Sequence, residues 1–244
     1  MTLRLIPIAL LLPLAAAAQS TPQGLPLLPE ADHRAWVAVG RLNVAGFRDR
    51  STCTGTLVAP TIVLTAAHCV TKRDRTAYAP GNVHYVAGWL RGDHVWHSPA
   101  AAIAVHPDYA SATGTIRIAA DLAVVTLARA APNDLVAPIP LATPFPSNLP
   151  HHAILGYQHT RAAMLSARFD CPVIDPRPDI LVLDCPVIPG LSGSPVLSRT
   201  PQGWRVSGIV SAQMRRDGRA VALAPILDDW ITDALTTRLI GTKR

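Results

Sequence analysis

Ten short runs of β-forming residues follow one another between Ala35 and Val210, punctuated by Pro, Gly, Asp and Ser. They are Ala35–Leu42, Cys53–Val58, Thr61–Thr65, Val83–Trp89, Ala101–Val105, Leu122–Leu127, Ala153–Tyr157, Ile180–Leu183, Pro195–Leu197 and Val206–Val210. No helical pattern alternates with them, so parallel βαβ units are excluded and an all-β sandwich or barrel remains. The 23 prolines press the same way, because proline breaks helix interiors and punctuates loops. One segment departs from the pattern. From Pro225 onward Ile226, Leu227, Trp230, Ile231, Ala234, Leu235 and Leu239 recur at helical spacing. Pro225 at the first helical position, Asp228 and Asp229 near the positive end and Arg238 near the negative end predict a C-terminal α-helix lying on the β body.

The first eighteen residues carry Arg4, an apolar run from Leu5 to Leu14 and then Ala15 to Ala18, the pattern of a secretory signal cleaved after Ala18. The run is too short to span a bilayer, and no membrane association is expected. The mature chain then begins at Gln19 in a secreted or periplasmic setting, where the four cysteines can pair. Three pairings are possible; short spacing favours Cys53 with Cys69 and Cys171 with Cys185, each closing a loop that contributes roughly 3 kcal/mol on the chain-entropy model. Zinc at Cys69 and His68 is the competing reading. It lacks a second close Cys or His at ligand spacing, so no metal and no cofactor is expected. The formal charge of +6 comes from scattered arginines, which fits a solvated basic surface better than a nucleic-acid stripe. A monomer is expected, with no nucleic-acid partner.

Chemistry concentrates in three places. Leu64-Thr65-Ala66-Ala67-His68-Cys69 fixes a histidine between an apolar run and a cysteine. Ala119-Ala120-Asp121-Leu122-Ala123 carries an acid that is costly to bury unless paired. Gly190-Leu191-Ser192-Gly193-Ser194-Pro195 holds a serine in a glycine turn. Serine is a weak nucleophile at neutral pH, and attack on an amide needs a base in reach and an acid that orients that base. His68 suits the base, Asp121 the orienting acid and Ser192 the nucleophile. The N–H groups of Gly190 and Ser192 suit an oxyanion hole. A Pro-rich stretch between Ala128 and Pro150 separates His68 and Asp121 from Ser192, which places the site in a cleft between two halves. His106, His151 and His152 read as surface residues, and Trp36, Trp204 and Trp230 as packing.

Together with His106-Pro107-Asp108-Tyr109 and Ser207-Gly208-Ile209-Val210-Ser211, these motifs make the chain resemble the chymotrypsin-like, trypsin-fold serine proteases from about Trp36 to Trp230. The resemblance implies an all-β fold of two packed antiparallel six-stranded β-barrels with a C-terminal α-helix. It implies a serine endopeptidase working through an acyl-enzyme on a protein or peptide substrate. The expected organisation is a signal at 1–18, an N-terminal segment or short propeptide at 19–34, and one barrel at 35–130. A linker at 131–150, a second barrel at 151–225 and a helix and tail at 226–244 complete it. The Gly-x-Ser-Gly-Ser-Pro form resembles the bacterial branch that includes glutamyl endopeptidases.

The departures from the family concern activation and specificity. The animal enzymes hold an Asp where this chain has Leu191, and that Asp pairs with an amino terminus freed by zymogen cleavage. Leu191 cannot, so that switch is not expected here. Counting from Ser192 by the family's pattern places Pro186 and Val187 in the specificity pocket with Ser211 and Gln213. Asp184 would enter it only through a small insertion. Val210 stands where glutamyl-specific relatives hold His. Cleavage after small or medium apolar residues follows as the expectation. A non-catalytic binding protein on the same fold, engaging acidic partners, is the alternative reading, because sites rather than folds carry function.

Overall fold

The computed structural model describes residues 24–45, 50–146 and 148–241; the expected signal and its cleavage point lie outside them. In the first half, β1 (Val39–Ala45), β2 (Arg50–Ala59), β3 (Ile62–Thr65), β4 (Val83–Ala87), β5 (Trp96–Val105) and β6 (Ala123–Leu127) close into a barrel. The order is β1-β2-β3-β6-β5-β4, antiparallel throughout. Every residue of β3 is fully buried, which is why it reads as an unbroken apolar run rather than an alternation. Leu42, Leu57, Leu64, Tyr85 and Leu122 fill the interior. The Tyr85 hydroxyl donates to Ala38 O at 2.8 Å, as a buried phenol requires.

The second half holds β7 (His151–Gly156), β8 (Ser166–Pro176), β9 (Ile180–Leu183), β10 (Pro195–Thr200), β11 (Gly203–Ile209), β12 (Ala212–Arg216) and β13 (Arg219–Pro225). Their order is β11-β10-β7-β8-β9-β13-β12, again antiparallel. A break at Val210–Ser211 splits one course of chain into β11, paired with β10, and β12, paired with β13. The sheet curls until Gly208 bridges Ile226. The second barrel therefore has six courses, one of them bent in two, and among the described residues β12 keeps an unpaired outer edge.

Several boundaries differ from the sequence reading. Glu30–Trp36 is a 3₁₀ helix, so β1 starts at Val39 rather than Ala35. β8, β12, β13 and the short helix α1 (Gly114–Ala119) were not foreseen. Pro225 does not open the C-terminal helix. It ends β13 opposite Ile180, and α2 (Asp229–Gly241) starts later because Asp228 caps it, its Oδ1 accepting the Ile231 N–H at 3.2 Å. His106 pairs with Asp228 at 2.9 Å and meets the Trp230 ring edge-on at 5.1 Å, which docks the helix on the first barrel. His152 is no surface residue either, being 1% exposed on β7.

Cys53 pairs with Cys69 and Cys171 with Cys185. Both Cys53 and Cys69 sulfurs are thereby committed, so the grouping with His68 offers no thiolate to a metal. Among the described residues no helix is long and apolar enough to cross a membrane.

Candidate active site

The ladder between β3 and β6 sets the first half of the site. Thr65 pairs with Ala123, so the 3₁₀ turn Ala67–Cys69 after β3 comes alongside Asp121, just before β6. The Cys53–Cys69 disulfide ties that turn to β2. Asp121 is 4% exposed and accepts three hydrogen bonds. The His68 backbone N–H reaches Oδ1 at 2.9 Å, while His68 Nδ1–H and the Ser211 hydroxyl reach Oδ2 at 2.7 and 2.5 Å. A carboxylate can only accept, so Nδ1 carries the imidazole proton and Nε2 keeps its lone pair toward the cleft. Tyr109 closes the back of this cluster; burial first, then the Asp121 charge, push its hydroxyl up from the usual phenol range and keep it neutral.

The second barrel contributes the turn between β9 and β10. Gly190 (φ 97°) and Gly193 (φ 79°) sit in the left-handed region, where a side chain is strained. At Gly193 a Cβ would also lie 2.1 Å from Thr54 O. His159 N–H donates to Pro189 O at 2.9 Å, which turns the next N–H, that of Gly190, the opposite way. Among the described residues neither the Gly190 N–H nor the Ser192 N–H has a protein acceptor. Two free backbone donors beside a serine hydroxyl are what an oxyanion requires. His68, Ser192 and Gly190 line one cavity of about 300 Å³ between the barrels. Ser192 Oγ makes no hydrogen bond among the described residues; such contacts commonly tighten only when substrate binds.

Thr54 lies inside the expected run Cys53–Val58 and was given no role by the sequence reading. It is fully buried next to Cys53, and its N–H donates to Ser192 O at 2.8 Å. Its hydroxyl donates to Gly190 O and accepts the Tyr157 N–H, both at 3.0 Å. One threonine of the first barrel thus holds two carbonyls of the turn that carries Ser192. Gln158 was also unforeseen. Its amide exchanges two hydrogen bonds with the Leu25 backbone, at 3.1 and 3.2 Å, and docks the N-terminal segment beside that turn.

Three of the four expected specificity residues, Val187, Ser211 and Gln213, line the Ser192 cavity. Pro186 does not. It faces the adjoining cavity of about 570 Å³ together with Asp184, behind Ile188 and Gln213. Asp184, half-buried at the wall of that adjoining cavity, stands 3.9 Å from the exposed Arg219, a loose pair outside the Ser192 cavity. Leu191 is fully buried in an apolar cluster with Leu25, Val187 and Val196.

Comparison with known proteins bears on this geometry. A solved structure of a Glu endopeptidase in complex with MPD superposes with a TM-score of 0.72 at 17% identity, over 89% of this chain and 97% of that one. At that identity the likeness concerns the fold. A search of curated proteins found no match. The trypsin family model matches residues 29–171. That match spans more than half of the chain and includes the His68 and Asp121 motifs, and the chain belongs to the trypsin family of serine endopeptidases.

Proposed function

We propose that this endopeptidase is exported after cleavage near Ala18 and cuts peptide bonds through Ser192, His68 and Asp121. Ser192 Oγ attacks the scissile carbonyl while His68 Nε2 takes its proton. The N–H groups of Gly190 and Ser192 stabilise the oxyanion, each donor worth about 3 kcal/mol in the transition state. His68 returns the proton to the leaving amine. Water, activated by the same imidazole, then releases the acyl group. Asp121 stays ionised and holds the ring in the Nδ1–H tautomer. The observation that carries the reading is the 2.7 Å bond from His68 Nδ1 to a buried carboxylate, on a ring whose other edge shares a cavity with Ser192.

Val187, Ser211 and Gln213 are the walls that favour a small or medium apolar residue before the scissile bond. Gln213 narrows the cavity, and Val210 adds an apolar wall that offers no donor to a substrate carboxylate. The buried contact of Leu191 with the Leu25 cluster replaces an ion pair at the nucleophile turn, so activity does not depend on a newly freed amino terminus.

The deciding experiment is fluorophosphonate labelling of the Gln19–Arg244 protein, unprocessed, beside its Ser192→Ala variant. Labelling that depends on Ser192, with turnover lower by about 10⁶ in the variant, is expected. Absence of both labelling and hydrolysis in the parent protein overturns the proposal.

A further inference from the structure

A second cavity, of about 470 Å³, opens on the far side of His68 and is lined by Lys72, Arg73, Arg75 and Arg117 together with Tyr109. Its acid is Asp121, whose oxygens are already taken by His68 and Ser211. Among the described residues none of the four cations makes an ion pair with a carboxylate. Four positive charges around one concavity focus a field that draws in an anion.

The backbone that carries these cations is braced, and one of them, Arg75, is itself held by two carbonyls. Lys72 N–H donates to Thr76 O and Arg75 N–H to Lys72 O, closing a tight turn. Within it Asp74 Oδ1 accepts from both the backbone and the hydroxyl of Thr76. Arg75 then reaches across to the carbonyls of Ala110 and Ala112 and ties this turn to the segment that leads into α1, which carries Arg117. The two walls of the cavity therefore form one braced unit, which lowers the ordering cost of binding.

The cavity also has a defined place along a substrate. It shares Ser211 and Ala212 with the cavity at Ser192. Ala212 begins β12, whose outer edge is unpaired, so an extended peptide can add there as a further strand. Successive side chains of a strand point to opposite sides. A residue seated at Val187 and Gln213 therefore directs its N-terminal neighbour toward His68 and the four cations. Resting on the proposed role of Ser192, we infer that this protease selects peptides with Glu or Asp two residues before the scissile bond, its carboxylate bound by Arg117, Lys72 and Arg73.

The test is a binding measurement on the full Ser192→Ala protein, with hydrolysis by the parent as a separate arm. The probes are fluorescein-labelled tetrapeptides ending in Val, so that Val occupies the primary cavity, with Glu, Gln or Lys before it. Glu is expected to bind about tenfold tighter than Gln, Lys more weakly than either, and the Glu advantage to shrink in 0.5 M salt. The double variant Arg117→Gln with Lys72→Gln is expected to erase the advantage while leaving Gln peptide binding within about twofold. Equal binding of Glu and Gln overturns the inference. So does an advantage that survives in the double variant, or one that appears only when Glu replaces the terminal Val. Glu-selective binding without hydrolysis by the parent leaves the inference standing and removes Ser192 from catalysis instead.

Discussion

Thr54→Val keeps the shape of a fully buried side chain and removes one oxygen, and that oxygen serves two partners across the barrel interface. Without it the Gly190 carbonyl loses its donor and the Tyr157 N–H its acceptor, and no water can replace a hydroxyl in a site filled by a methyl. A buried group left unpaired costs about 1–3 kcal/mol, so two cost about 3 kcal/mol after partial relaxation. The catalytic effect is separate. Gly190 O is one peptide removed from the free N–H, and a turn no longer pinned there presents its donor less well. Losing a whole oxyanion donor costs about 10²-fold in kcat, so a drop of about tenfold to a hundredfold is expected with KM little changed. Urea denaturation on the Ser192→Ala background reads the first effect; peptide kinetics of the single variant read the second. Thr54→Ser, which restores the oxygen, should recover most of both. A Thr54→Val protein with parental stability and parental kcat refutes the reasoning, as does a Thr54→Ser protein as impaired as Thr54→Val.

Two further expectations follow from buried groups. His152 donates from Nδ1 to Ser198, which donates to Ser207, which donates to the Val196 carbonyl, while among the described residues the buried Nε2 has no partner. Burial, with His151 adding to it, holds its pKa at about 4, so the unfolded chain takes up a proton first as pH falls below about 6.5. Stability attributable to this residue is present at pH 7 and decreases by about 3 kcal/mol by pH 4; His152→Phe should flatten the pH dependence of urea midpoints by that amount, and an unchanged slope would count against the assignment. Gly193→Ala places a Cβ 2.1 Å from Thr54 O and 2.3 Å from Thr65 Oγ1 at positive φ, whereas Gly218→Ala, also at positive φ, meets nothing within 4 Å. The former should destabilise by about 3 kcal/mol or more and the latter by about 1 kcal/mol, and equal losses in thermal melts would mean that backbone strain alone governs both.

How legible each part was depended on how local its cause is. The alternation and short apolar runs of the first barrel are properties of five or so consecutive residues, and β3 and β6 appear almost where they were expected. His68, Asp121 and Ser192 each sit in a short stretch whose neighbours reveal their constraint. The β12–β13 hairpin was missed although Asp217 and Gly218, at φ 50° and 77°, form the two-residue positive-φ turn that such a dipeptide signals. β12 carries Gln213, Arg215 and Arg216 on an exposed edge, so no apolar run marked it, whereas the largely buried apolar run Ala220–Ala224 of β13 was there to be read and was passed over. His152 was misjudged because the apolar run begins at Ala153, whereas the ladder to β8 begins two residues earlier. Pro186 was counted from Ser192 along the chain, and the path around Cys185 carries it into the neighbouring cavity.

Thr54 marks the limit of that local legibility. Its partner Gly190 lies 136 residues away, and only the packing of one barrel against the other brings them within 3.0 Å. The same packing brings Ser211, from the second barrel, to the carboxylate that orients His68 in the first. Each barrel therefore supplies a hydrogen bond that the other barrel's proposed catalytic group depends on, and the site cannot be assembled by either alone. Small movements of one barrel against the other must stretch both bonds together. Substitutions at that interface, Thr54→Val among them, are thus expected to lower kcat together with stability. The disulfide Cys53–Cys69 adds to this coupling, because it fixes the residue beside Thr54 to the residue beside His68. The proposed base and the turn that carries Ser192 are both held from one short segment of β2, so little of their alignment has to be encoded near Ser192 itself.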